Sequence, residues 1–379
     1  MQVFDFFIPS HLKFGIDSLN RIGSVVSSVG SKVFLVTENG MLSGKTVSHI
    51  QTLLSQQGCE AIVYDIPEKT LTANVFVDKG ASLARASFCD VIVGVGGMRI
   101  LSMAKAIAML VNNQKSINDY IDGEVIKESS LPYIEIPTEI RNPFMFRNDF
   151  IITDMRSRKS CVLKALNAQP CSVIYDPAIM HINDLPEIMM TNLANAIEGY
   201  LSTDSNFVSD MMFLKAIEML SKYLIPAVKN NTEDLISFLA LSGLMTSMGL
   251  GCASIGVINA VSEVINQKLR IEKSAVASVL LPYVIEFCIP SSAEKIARIG
   301  AAMGINVESK TMLEVAVKVI EFVKNISSDL SFPTKLSDFS LKSEDLIGLA
   351  DQAVAMNMMN YLPRSCSNEE LYNILQSAF

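Results

Sequence analysis

The chain has 379 residues, half of them apolar and 18% charged, with a mean hydropathy of +0.34 and a net charge of −8. That length exceeds what one small core serves, so two domains are expected. No Lys/Arg cluster is long enough to face a phosphate backbone, which argues against a nucleic-acid partner.

The opening MQVFDFFIPS has an early acidic residue and lacks the basic start of a signal peptide. Strand and helix patterns then alternate over the first ~180 residues. SKVFLVTE (31–38) is a β-branched run followed by a helical pattern from Lys45 to Gln57. AIVYDI (61–66) is a second strand and Val75 to Ala86 a second helix. DVIVGVGG (90–97), a helix from Leu101 to Asn112 and the strand YIEIP (133–137) complete the series. Repeated βα units with near-continuous apolar strands imply a parallel sheet covered on both faces.

Strand signals vanish after INDLPE (182–187). Helical periodicity marks 188–203, 206–226, 233–248, 253–268, 273–288, 291–303, 308–327, 343–356 and 367–377, punctuated by Pro226, Pro282, Pro290 and Pro333. Leu235 to Ser262 runs 28 residues without a formal charge, long enough to span a bilayer. Its many serines and glycines suit two packed interior helices joined by the GLGCASIG turn better, so no membrane partner is expected. An α/β domain over 1–182 and an all-helical domain over 183–379 follow, with a cleft between them as the expected site for a small molecule or nucleotide. The seven cysteines show no CxxC spacing and read as free thiols in a reducing compartment, the cytoplasm. The 20 methionines read as core filler, with an interaction surface as the alternative.

VIVGVGGMRILSMAKAIAML places Gly94, Gly96 and Gly97 at the end of an apolar strand and the mouth of a helix. Backbone amides and the positive helix end can meet a pyrophosphate there, with glycines allowing close approach. A tight strand-to-helix turn that needs small residues explains the same glycines equally well.

This segment resembles the phosphate loop of the iron-containing alcohol dehydrogenases, relatives of glycerol dehydrogenase and dehydroquinate synthase. The family's strand runs into GGGS, then a carboxylate, then Ala-Lys. Gly96, Gly97, Ala104 and Lys105 match, whereas Met98, Arg99 and Ser102 replace the third glycine, the serine and the aspartate. FFIPSHLKFGIDSLNRIG (6–23), VTENG (36–40), VIYDPAIMHINDLPE (173–187), NAIEGYLS (195–202) and SVLLPYVIEF (278–287) resemble further family landmarks. The resemblance implies a Rossmann-like nucleotide-binding domain plus an all-α domain, a dehydroquinate synthase-like fold, and NAD(P)-dependent alcohol or aldehyde oxidoreductase chemistry. It places Glu38 at the adenosine ribose and Gly94, Gly96, Gly97, Arg99, Lys105 and Thr138 along the cofactor. Arg99 pairs either with phosphate or in a salt bridge at the helix start.

The departures are as informative. TEIRNPFM (138–145) lines up with the family's TTAGTGSE loop, so Arg141, Pro143, Phe144 and Met145 replace small residues and are expected, with Met98, to narrow the cofactor groove. The family's one aspartate and three histidines, which hold the metal, line up with Thr191, Asn195, Asn259 and Lys273, and a further active-site histidine with Glu263. The chain has only three histidines (His11, His49, His181), none beyond residue 181. Iron and zinc prefer imidazole and carboxylate donors, so no metal is expected. The carboxylates Glu198 and Glu263 read as salt-bridge partners of Lys or Arg.

Three functions stay open. One is a catalytically impaired or inactive member, a homodimer or a scaffold subunit pairing with an active homologue. Another is a working reductase, metal-independent if the Lys273 ammonium polarises a carbonyl, with Glu263 as its weak catalytic companion. The third is a module that binds a nucleotide without redox chemistry.

Overall fold

The computed structural model describes residues 3–4, 6–38, 45–67, 73–140, 142–180 and 185–379. They divide into two units. The first, Phe7–His181, contains β1 (His11–Phe14), α1 (Ile22–Ser27), β2 (Lys32–Glu38), α2 (Lys45–Ser55), β3 (Glu60–Ile66), α3 (Asn74–Ala86) and β4 (Val91–Gly96). It continues with α4 (Met98–Asn112), α5 (Ile117–Ile121), β5 (Tyr133–Pro137), β6 (Asp149–Asp154), β7 (Lys159–Lys164) and β8 (Ser172–Tyr175). Six strands form one sheet in the order β1-β8-β5-β4-β2-β3, with every neighbour parallel. β6 and β7 form a separate antiparallel pair.

The sheet is apolar on both faces for a local reason. Successive side chains on a strand point to opposite sides. Val33 and Leu35 of β2 therefore join Ile22, Val26 and Ile50 on one face, while Phe34 and Val36 join Val77, Ile100 and Ile107 on the other. β2 and β4 consequently read as continuous apolar runs, as the sequence pattern predicts for a doubly covered parallel sheet. β1 and β8 are four residues each, too short to show a periodicity. Register with their neighbours and the stack of Phe14 on Tyr175, 5.9 Å between centroids, hold β1 at the sheet edge and β8 beside it.

The second unit gathers Met1–Phe6 and Ile182–Phe379. Its helices are α6 (Leu185–Leu201), α7 (Phe207–Lys229), α8 (Glu233–Leu250), α9 (Val257–Leu269), α10 (Lys273–Ala302), α11 (Met312–Asp329), α12 (Asp345–Val354) and α13 (Asn368–Ser377). The first residues thus group with the helices and not with the sheet, because Val3 and Phe4 line a hollow of about 870 Å³ beside Leu201–Phe207 and Lys295. The predicted segments 273–288 and 291–303 join as α10, broken only at Ser292, where φ is −139° and ψ 26°, two residues past Pro290. α7 runs through Pro226 and ends one turn later.

The uncharged stretch forms α8, a turn and the start of α9, and both helices pack on α6. α10 has the length and hydropathy to cross a bilayer, but its most apolar window is mostly buried, as a core helix packed on α6, α9 and α11 is.

Candidate functional site

In the sheet unit, Gly97 caps α4 directly after β4. The three glycines of the loop are explained by different neighbours. A Cβ on Gly94 would stand 2.9 Å from Ala104 Cβ and 3.0 Å from the Tyr133 hydroxyl, and one on Gly96 would stand 2.8 Å from Ile100 Cβ. These two glycines let α4 lie close on the sheet, so helix packing accounts for them without any ligand. A Cβ on Gly97 would overlap the carboxylate of Glu139, which follows β5 by two residues.

Arg99, in the first turn of α4, makes an ion pair with Glu38 at the end of β2. Burial pushes its guanidinium below the ordinary value and the Glu139 charge pulls it back up. Of the two partners weighed for Arg99, the salt bridge at the helix start is present. It also engages Glu38, the residue expected at the ribose. Thr138 lies just past β5, fully buried, with its amide donating to the Gly96 carbonyl at 3.0 Å. Among the described residues, its hydroxyl has no hydrogen-bond partner, nor has the buried hydroxyl of Thr37 at the end of β2.

Lys105 is not where a phosphate ligand would be. Its side chain is 2% exposed, and Nζ donates to the carbonyls of Phe144 at 2.7 Å, Arg147 at 2.9 Å and Asp149 at 3.5 Å. Burial lowers the pKa of this ammonium while Glu135 holds it up. Glu135 is fully buried, accepts from Asn142 Nδ2 at 2.5 Å, and is pushed up by burial against the pull of Lys105. These bonds draw the 142–149 segment inward. Met145 is consequently fully buried and Pro143 buried, so neither narrows a groove as expected; Phe144 and Met98 are half-buried, and Arg141 lies outside the described residues.

In the helical unit, α6 carries Thr191, Asn195 and Glu198, and α9 carries Asn259 and Glu263. Asn259 Nδ2 donates to Asn195 Oδ1 at 2.8 Å and to Glu198 Oε2 at 2.7 Å. Glu198 also accepts from the Gly256 amide at 3.0 Å and the Ile258 amide at 2.6 Å. Gly256 allows this approach, since a Cβ there would lie 3.1 Å from Glu198 Oε1. Burial pushes the Glu198 carboxyl up, opposed by these donors. Glu198 is therefore satisfied by amides at the start of α9 and not by the expected salt bridge.

Lys273 pairs with Glu263, whose other oxygen accepts from Gln267 Nε2 at 2.9 Å. Thr191 donates its hydroxyl to the Glu187 carbonyl at 3.1 Å. The structure thus joins Asn195 to Asn259 and Lys273 to Glu263. Among the described residues, no three His, Cys, Asp or Glu side chains converge to hold an ion. Sequence reasoning did not single out Glu139; an acidic residue inside a segment compared with a small-residue loop was the available signal.

A family profile described as "Iron-containing alcohol dehydrogenase" matches residues 9–177, and one described as "Fe-containing alcohol dehydrogenase family, C-terminal" matches residues 187–379. The chain belongs to the iron-containing alcohol dehydrogenase family. It is similar to the 1,3-propanediol dehydrogenase of Citrobacter freundii, 24% identical over 100% of this chain and 99% of that protein. The lactaldehyde reductase of Escherichia coli (strain K12) is 23% identical over 97% of each. A crystal structure of a 1,3-propanediol oxidoreductase matches with a TM-score of 0.94 at 24% identity, covering 100% of both chains. The family and the fold class implied by the sequence are both borne out, and an oxidoreductase-like ancestry with them.

Proposed function

We propose that this protein is a member of its alcohol/aldehyde oxidoreductase family in which metal-dependent hydride transfer is impaired or lost. It works as a binding or scaffold subunit, as a homodimer or beside an active homologue. The observation that carries this is Asn259, whose amide hydrogens bridge Asn195 and Glu198. Three of the four positions compared with the family's ligands are a hydroxyl and two amides already engaged with protein, and the fourth is an ammonium. An ammonium repels a divalent cation, and neutral oxygens are weak donors for iron or zinc. These groups do not fit the family's metal, and no imidazole exists beyond residue 181 to replace them. Function resides in the site and not in the scaffold.

The decisive experiment combines metal analysis of protein purified from iron-supplemented medium with NADH- and NADPH-linked reduction of short aldehydes. Substoichiometric metal and no turnover are expected. Stoichiometric iron accompanied by turnover overturns the proposal.

A second reading is favoured by the Lys273–Glu263 pair. The pair places a lysine side chain at position 273, where an ammonium stabilises developing negative charge on a carbonyl oxygen. Hydride would come from a dihydronicotinamide and the proton on oxygen from the ammonium. NAD(P) is the cofactor class, as for the NAD-dependent methanol dehydrogenase of Bacillus methanolicus, 22% identical over 99% of each chain. Activity that survives chelation and disappears in Lys273→Met would establish this reading in place of the first.

A further inference from the structure

The carboxyl group of Glu139 lies against the loop between β4 and α4. Gly97 opens a 15-residue helix and carries no side chain to cap the first-turn amides, which gives that end a partial positive charge. Glu139 is half-buried and its carboxylate lies so close to Gly97 that no Cβ fits between them. Arg99 sits in the same first turn, paired with Glu38 and within the field of Glu139. One guanidinium therefore stands with two carboxylates at the place where a diphosphate would rest. The hydroxyls of Thr37 and Thr138, buried and without hydrogen-bond partners among the described residues, stand at the C-terminal ends of the two strands flanking β4. Buried hydroxyls of this kind ordinarily have a partner, and a polar ligand seated on the loop is one that could serve.

We propose that Glu139 is a specificity-determining gate on the glycine loop, its carboxylate occupying the seat of a nucleotide diphosphate so that such ligands enter only when it is displaced. A carboxylate and a diphosphate brought to the same loop repel, while the same carboxylate is indifferent to an uncharged nucleoside. The gate should therefore act on the phosphate-bearing part of a ligand alone. It concerns binding and not turnover, so it stands or falls separately from the function proposed above.

The test is calorimetric titration of the full-length protein with ADP, NAD and adenosine, comparing wild type with Glu139→Ala and Glu139→Gln. The expected result is an ADP and NAD dissociation constant lowered by about tenfold or more in Glu139→Ala, the effect of about 1.4 kcal/mol. Glu139→Gln keeps the volume, removes the charge and should give a large part of the gain, with adenosine unchanged in both. Glu139→Gln also keeps the test valid if Glu139→Ala fails to fold. Equal ADP affinity in wild type and variants, no ADP binding by any of them, or an equal gain for adenosine overturns the proposal.

Discussion

Asn259 gives both hydrogens of its side-chain amide to α6, one to Asn195 Oδ1 at 2.8 Å and the other to Glu198 Oε2 at 2.7 Å. The arrangement joins α6 to α9 through a single shared donor. It has a consequence for stability that a cation site would not have.

Asn259→Ala removes the shared donor and leaves the buried Asn195 carbonyl without it, although Glu198 keeps the Gly256 and Ile258 amides. A buried polar group deprived of its partner costs about 1–3 kcal/mol. The transition of the helical unit should fall by about 2–4 °C per kcal/mol lost. Thermal unfolding followed by circular dichroism, with and without added iron, measures it. A fall that iron reverses would count against the polar lattice and for a metal site.

Substitution of two glycines three positions apart should separate packing from gating. At Gly94 an alanine Cβ meets Ala104 Cβ at 2.9 Å and Leu101 Cδ2 at 3.2 Å inside the core. Overpacking of that kind costs about 1–3 kcal/mol. At Gly97 the atom in the way is the mobile end of Glu139, at a backbone φ of −78° that any residue adopts. Gly97→Ala should therefore cost less than about 1 kcal/mol, because the end of the Glu139 side chain can swing aside. Urea midpoints of the two variants test the order; equal losses would place Glu139 in a rigid contact.

Lys105 and Glu135 give the sheet unit a pH dependence. Burial raises the Glu135 carboxyl, so the folded state keeps that proton to higher pH than the unfolded chain. Its contribution to stability is full below the ordinary carboxyl range and declines as pH rises through the raised value. Lys105 opposes that rise, so Lys105→Met pushes Glu135 higher and strips the donor from the Phe144 and Arg147 carbonyls. Leaving those buried carbonyls without their donor costs about 1–3 kcal/mol. The deficit of Lys105→Met relative to wild type should be largest above neutrality and shrink toward acid pH. Denaturant midpoints measured across that range check the sign, and a deficit that grows in acid would refute it.

Much of the fold is legible in the residues because burial is periodic. β2 and β4 are continuous apolar runs and α4 follows a glycine, so their positions are read to within a few residues. The shorter β1 and β8 are legible only by resemblance, since four residues cannot display a period. Pro226 and Pro290 suggest breaks that the structure softens, because packing of α7 and α10 outweighs a missing amide hydrogen bond in each.

The amino-acid order alone determines the two-part architecture, the family resemblance and the want of any imidazole beyond residue 181, since these depend on pattern and residue type. Tertiary structure decides where single polar groups turn: Lys105 inward to a carbonyl 39 residues away, Asn259 to a carboxylate 61 residues back, Glu139 onto Gly97. Each such choice is made by a distant partner that satisfies a buried charge or amide, and no local spacing encodes that partner.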